Sequence, residues 1–587
     1  MKYEPTTILS IVAEGAAKNQ TGIYSAVKRN GEWIETSIED FNQMVNDLAM
    51  GLYELGVRKG DKVSLHAENS TEWLVIDQAV LSLGAVVVPI YSTQPGEQIK
   101  YILENSGTKV HFVSNDEVFA ETKPLIKEIK SVEAIISILG SGHKKLKTFE
   151  SVLEMGHKRS EEEPNLFEKL RNEVEPDDLA TLIYTSGTTG VPKGVMLTHN
   201  NIAGNALASH EIFPFDTQAH DDPKVISYLP LAHMFERTAS YIYAYMGVPP
   251  YYIDEVEEIK DDFAAVKPIY MVTVPRLLEK IVTGIKVKGQ EMSGLKKQLY
   301  YWSVNLAEEY DPENPPATWK YKIADKLVYS KIRELFGGNM IGFNVGGAAL
   351  SPNIARFING IGIYCGLGYG LTETSPVLTG PPKGELRIGS SGKPLVDGEI
   401  LARGPNIMVG YYQMPEKTEE AIDEDGWFYT GDIGHLDEDG WLFVTDRKKS
   451  LFKLSTGKYV APQPIENALV NSGFIEQAVV VGSEHKFCGA LIVPNWENMK
   501  KRFKTTNHEF PEDNLTTNKY VLSRIQKEID KVNKDLSKWE KVKKFKLLED
   551  QFTIENGEIT PTLKVKRSVI NKKYKEDIDS IYAEEES

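Results

Sequence analysis

Ten consecutive residues, Thr185-Ser186-Gly187-Thr188-Thr189-Gly190-Val191-Pro192-Lys193-Gly194, hold four hydroxyls, three glycines and a lysine. They follow the apolar run Leu179-Ala180-Thr181-Leu182-Ile183-Tyr184. Glycines let neighbouring backbone N–H groups turn toward one anion, hydroxyls add donors, and the lysine brings a mobile positive charge. The pattern predicts a phosphate cradle at the end of a strand. It is not a Walker A loop, because the Gly-Lys-Ser/Thr ending is missing and Pro192 precedes the lysine.

A cradle of this kind needs strands to hold it and helices to cover them. Early segments alternate helical and strand patterns, as a layered α/β fold requires. The span 39–55 has helical apolar spacing up to Gly56, and 62–66 reads as a strand. Trp73 to Tyr91 is the most membrane-like stretch, but Asp77 and Gln78 interrupt it. Gly84 and Val86-Val87-Val88 mark a helix turning into a buried strand. After the loop, Val195-Met196-Leu197 is a short strand and Thr198 a helix cap. Val345-Gly346-Gly347-Ala348-Ala349 places small residues at another strand end, where a ligand can meet backbone. Near Asp446 the charge pattern changes. This predicts an N-terminal domain over 1–445 and a small α+β domain over 446–587, with strands at 478–481 and 490–493. Ile525, Ile529, Val532, Leu536 and Trp539 predict one amphipathic helix.

At 587 residues the chain exceeds one ordinary core. Its net charge of −17 excludes a general nucleic-acid binder while leaving nucleotide binding open. Cys365 and Cys488 are the only cysteines, which supports neither a disulfide framework nor a structural zinc site. The N-terminus lacks a basic start followed by an apolar stretch, so a cytoplasmic location is expected. Peripheral contact with the inner face of the membrane stays open. So does oligomeric state, a homodimer included.

With the later motifs Gly368-Tyr369-Gly370-Leu371-Thr372-Glu373-Thr374, Thr430-Gly431-Asp432, Asp446-Arg447 and Thr560-Pro561-Thr562-Leu563-Lys564-Val565-Lys566, the chain resembles the adenylate-forming (AMP-binding) superfamily. The segment from Lys453 through Gly457 and Lys458 to Glu466 resembles its bacterial long-chain acyl-CoA synthetases. The resemblance implies a large layered adenylation domain followed by a small mobile domain. It implies ATP held by the Thr185–Lys193 loop, adenine beside Tyr369 and lined by Gly346, Gly347 and Ala348, and Thr372 on phosphate. Gly368 and Gly370 flank the aromatic ring. Asp432 would accept both ribose hydroxyls, and Mg²⁺ would sit on Glu373 and Thr185. Arg447, Lys449 and Lys453 would add positive charge around a hinge at Asp446, with Gly457 and Lys458 on the coenzyme A side. Lys564 would be the adenylation lysine, with Lys566 two positions on as the alternative. Read alone, Glu373 is a solvated or capping glutamate, Gly-Asp a turn, and Gly346 to Ala348 close packing.

Gly370 stands where acetate-activating relatives carry tryptophan, so the acyl pocket is expected to be open at its base. Leu229-Pro230-Leu231-Ala232-His233-Met234-Phe235-Glu236-Arg237 lacks an aspartate for an amino acid's ammonium. His233 is a pocket-wall candidate or a structural histidine. The implied reaction joins a long-chain fatty acid to coenzyme A through an acyl-adenylate. The alternatives are an aryl or medium-chain acid, a carrier-protein thiol, or a silent nucleotide-binding protein. A shortened connection between Gly392 and Ile400 leaves the local sheet in doubt.

Overall fold

In the computed structural model, Leu179–Thr185 and Lys193–Thr198 form an antiparallel hairpin inside an eight-stranded sheet. The residues described are 4–140, 146–185, 191–213, 217–253, 256–315, 318–382, 385–387, 390, 398–447, 452–505, 510–511, 513–554, 556–559 and 565–583. The sheet runs Gly410–Tyr411, Lys193–Thr198, Leu179–Thr185, Val86–Ile90, Lys62–His66, Val110–Val113, Ala134–Ser137, Lys147–Thr148. From Leu179–Thr185 to Lys147–Thr148 the strands are parallel. Val86–Ile90 is buried at every residue, as an apolar strand in a sheet covered on both faces must be. Ile38–Glu54 and Thr71–Ser82 are the expected helices, and Gly84 turns the chain at φ +63°.

A second sheet of seven strands runs Tyr364–Leu367, Gly342–Val345, Tyr270–Thr273, Val225–Ser227, Pro250–Tyr252, Ile23–Arg29, Glu32–Ser37. All neighbours are parallel except the last pair. Gly398–Ala402, Phe428–Leu436 and Leu442–Arg447 make a smaller antiparallel sheet. The shortened connection before it lies in 391–397, outside the described residues, but Gly398–Ala402 does pair with Phe428–Leu436.

Beyond residue 451, Ile475–Val481, Cys488–Pro494 and Val542–Leu547 form a three-stranded sheet with its own apolar cluster. One sequence expectation fails here. The helix Lys519–Val532 ends before Leu536 and Trp539. Its C-cap Asn533 donates to the Val542 carbonyl at 2.9 Å and accepts the Val542 N–H at 2.9 Å, which reverses the chain into the strand. Leu536 still packs on the core, whereas Trp539 is exposed.

Candidate active site

Thr185 and Lys193 are backbone partners at the open end of the hairpin, one on each side of the glycine-rich segment in sequence. Ser186, Gly187, Thr188, Thr189 and Gly190 themselves lie outside the described residues. Gly194 pairs with Tyr184, and a Cβ there would come within 3.2 Å of the Tyr184 ring. The Tyr184 hydroxyl donates to Asn105 Oδ1 at 2.7 Å. Thr198 caps His199–His210 as expected, in a reciprocal capping box with Asn201.

That helix reaches across to the Glu373 motif, because Asn205 donates to the Val377 carbonyl at 2.7 Å and accepts the Val377 N–H at 3.2 Å. Thr372–Thr374 forms a single tight turn with Thr372 and Thr374 buried. Tyr411, beside the Lys193 strand in the sheet, donates its hydroxyl to Glu373 Oε1 at 3.1 Å. Lys193 Nζ lies 4.4 Å from the centre of the same Tyr411 ring. One side chain thus holds the carboxylate at its rim and the ammonium on its face. Burial and the adjacent carboxylate push the Tyr411 phenol up, so it stays a donor at any physiological pH. Among the described residues no group of three His, Cys, Asp or Glu forms a cage for a metal. A single carboxylate, Glu373, fits a Mg²⁺ that arrives on a nucleotide and keeps phosphate and water ligands.

Tyr369 and Asp432 meet although they are 63 residues apart, the Tyr369 hydroxyl donating to Asp432 Oδ2 at 2.8 Å. Asp432 is buried, with its N–H on the Thr430 hydroxyl at 3.1 Å. Arg447 is its backbone partner in the sheet, and Asp446 pairs with Ile433. Gly346 is buried beside the Phe235 ring, which a Cβ would approach to 2.9 Å, so a side chain there would press on that ring. Gly347, at φ +79°, and Ala348 are exposed at the C-terminal edge of the parallel sheet. Gly368 is tied to the same edge by its N–H on the Val345 carbonyl at 2.8 Å. At Gly370 even a Cβ would sit 1.8 Å from the Pro376 carbonyl oxygen, so this backbone takes no side chain.

His233 serves as a helix cap. Its Nδ1 accepts the Phe235 N–H at 3.1 Å at the start of Met234–Met246, which puts the neutral ring's proton on Nε2. The next turn holds what the sequence did not disclose. Arg237 is fully buried, paired with buried Asp77 and donating to Thr181 and Tyr241 at 2.8 Å each. Thr181 in turn donates to the Val87 carbonyl at 2.7 Å. The network fastens the cradle's strand to the helix Thr71–Ser82. In the sequence Asp77 only argued against a membrane span and Arg237 only closed a motif; nothing there joined the two.

Glu236 is also fully buried, taking the Ser227 hydroxyl at 2.5 Å on one oxygen, with no partner for the other among the described residues. Burial pushes its carboxyl up to about 8, with the Ser227 bond opposing. The folded chain therefore holds this proton more tightly than the unfolded one. Its contribution to stability is full below about pH 4.5, declines as pH rises, and levels off above about 8. We expect Glu236→Gln to raise the melting temperature by several degrees above pH 8 and to change it little near pH 4.5. Calorimetry across that range checks this.

In the C-terminal unit, Ile559 and Val565 form an antiparallel bridge, and residues 560–564, Lys564 among them, lie outside the described residues. Both flanks are anchored. Buried Glu558 accepts Lys573 at 2.8 Å, Tyr574 at 2.7 Å and the Thr553 N–H at 2.9 Å. Burial raises its pKa, but these donors outweigh it and hold the carboxyl below the usual range. Arg567 pairs with both oxygens of Glu466 at 2.7 and 2.6 Å. Lys566 is the cap residue between them. Gly457, at φ +85°, turns the chain between Phe452–Lys453 and Tyr459–Val460. Lys458 lies over the Trp539 ring and Lys453 over Tyr459. Lys449 falls outside the described residues.

Residues 14–412 match the AMP-binding enzyme family, and residues 449–586 its C-terminal domain. A long-chain-fatty-acid–CoA ligase of Mycobacterium bovis is 34% identical over 575 residues, 95% of this chain and 94% of the relative. A chloroplastic long-chain-fatty-acid–[acyl-carrier-protein] ligase of Arabidopsis thaliana is 30% identical, covering 94% of this chain and 83% of the relative. The adenylation domain of a carboxylate reductase from Mycobacterium chelonae shares the fold, with a TM-score of 0.76 at 22% identity over 99% of this chain and 92% of its own. The chain belongs to the AMP-binding enzyme family.

Proposed function

We propose that the protein activates a long-chain fatty acid with ATP and passes it to coenzyme A. The observation that carries the reading is that Tyr411 joins Lys193, at the end of the hairpin, to Glu373, in a chain alike over nearly its whole length to a long-chain ligase. The acid's carboxylate attacks the α-phosphorus of ATP, pyrophosphate leaves, and the thiol of coenzyme A then displaces AMP from the acyl-adenylate. A carboxylate cannot expel oxide, whereas the mixed anhydride expels AMP readily.

In this account the loop from Thr185 through Ser186, Gly187, Thr188, Thr189 and Gly190 to Lys193 grips the β- and γ-phosphates. Thr372 contacts phosphate, and Tyr369 flanks adenine beside the exposed Gly347–Ala348 edge. Asp432 accepts the ribose hydroxyls, with Arg447, Lys449 and Lys453 near the nucleotide. Mg²⁺ bound by Glu373 and Thr185 would supply neutralising charge to the triphosphate. The domain of residues 1–445 holds ATP and acid, while that of 446–587 turns about Asp446. The turn exchanges Lys564 for Gly457 and Lys458 at the site. The free, buried Cys365 and Cys488 fit a reducing cytoplasm. No described helix is long and apolar enough to cross a membrane.

Removing the Asp432 charge weakens a charge-assisted bond to nucleotide. Asp432→Asn is expected to raise KM for ATP by about 10- to 100-fold with kcat at saturating ATP within a few fold, measured by steady-state kinetics. Tyr369→Phe, which leaves the carboxylate, should cost less.

The likeness to an acyl-carrier-protein ligase supports a second acceptor. Mass spectrometry of products from a mixed pool of long-chain, medium-chain and aryl acids, offered with ATP, coenzyme A and a phosphopantetheinyl carrier, decides both choices. The proposal expects long-chain acyl-CoA to dominate. Acyl-carrier or aryl products would displace it.

A further inference from the structure

Outside the residues of the candidate site, one helical segment is apolar on two opposite sides. Trp319–Ala324, a π turn over Asp325–Tyr329 and Ser330–Arg333 run on without a break. The inner side, Ala324, Val328, Tyr329 and Ile332, is buried in the core. It is fastened to Gly294–Glu308 by Tyr321 and Tyr329 hydroxyls on the Leu306 and Ser303 carbonyls at 2.6 and 2.7 Å. Packing therefore accounts for that side alone. Trp319, Ile323 and Leu327, spaced by four, remain 67%, 39% and 45% exposed on the other.

The charge around this stripe opposes that of the whole chain. Between 318 and 333 stand Lys320, Lys322, Lys326, Lys331 and Arg333 against Asp325 alone, in a protein of net charge −17. Asp325 is engaged by Arg333 at 2.6 Å. Lys320, Lys322, Lys326 and Lys331 are exposed. An exposed tryptophan with two aliphatic neighbours, ringed by lysines on long apolar stems, is matched to a lipid–water boundary. Rings and methyls enter the acyl edge while ammonium groups stay with phosphates.

We infer that the Trp319–Leu327 face docks the protein on an anionic lipid bilayer. The charge complementarity selects this occupant, since an acidic chain elsewhere repels such a surface. The docking face goes beyond the proposed reaction and is read without it, by binding alone.

The test is flotation of the full chain with vesicles of phosphatidylglycerol and phosphatidylcholine, against vesicles of phosphatidylcholine only. We expect binding to the anionic vesicles that weakens with salt. It should fall about 10- to 100-fold in the Trp319→Ser, Leu327→Ser double variant. In Lys320→Glu, Lys326→Glu it should fall at least about tenfold and lose its salt dependence. Thermal midpoints and acyl-CoA formation from dissolved acid should stay unchanged, since all four side chains point to solvent. Equal binding by wild type and both variants, or no binding at all, overturns the inference. So does a wild-type dimer by sedimentation that the Trp319→Ser, Leu327→Ser variant dissolves, because the face would then belong to a second copy.

Discussion

Lys564→Ala should abolish acyl-adenylate formation while sparing the second half-reaction. A mobile ammonium placed between the carboxylate and the α-phosphorus stabilises charge that exists only in the first transition state. Its loss is expected to lower acid-dependent pyrophosphate release about 10²- to 10³-fold, the scale for removing one preorganised donor. Thioester formation from supplied acyl-adenylate should change by less than about threefold, because that step has no pyrophosphate to expel. The two rates are measured separately on the same preparation. Lys566→Ala is the companion: were it the variant that lost adenylation, the role would move two residues. Glu558 and Arg567, which flank the lysine segment in sequence, are both held by ion pairs.

Glu373→Gln should produce the second large effect. The amide keeps the size of the side chain and an oxygen for the Tyr411 hydroxyl, but not the charge that holds a divalent cation. We expect kcat/KM for ATP to fall about 10²-fold or more and the Mg²⁺ concentration for half-maximal activity to rise, measured by magnesium titration at fixed ATP. Tyr411→Phe leaves the charge and removes only the hydroxyl 3.1 Å away, so a smaller shift in the same direction is expected, about tenfold. A variant Glu373→Gln with unchanged magnesium dependence would remove this residue from the metal site.

The sequence made local features plain and hid the distant ones. Gly84 and the run 86–88 announce a buried strand, and Thr198 a cap, because strand burial and capping depend on neighbours a few residues away. The Tyr369–Asp432 and Tyr411–Glu373 contacts join residues 63 and 38 apart, and nothing local to Tyr411 marks it as a partner of carboxylate and lysine at once. Arg237 looked like one more charge in a motif. Its meaning lies in Asp77 and Thr181, which approach only when helix and sheet are assembled. The reverse error occurred at Trp539, where helical spacing continued past a helix that Asn533 ends through a strand nine residues on. His233 and Gly346 show the same limit. Residue type suggested a ligand-facing role, and the fold adds to one a helix cap and to the other a contact with a distant ring.

The central claim is that a carboxylic acid attacks the innermost phosphorus of an ATP held by the Thr185–Lys193 turn. Isotope exchange from labelled pyrophosphate into ATP reads that reversible step without coenzyme A. With Mg²⁺ and a long-chain fatty acid the account predicts rapid exchange, none without acid, and near loss in Glu373→Gln. Absence of acid-dependent exchange across long-chain, medium-chain and aryl acids would contradict it.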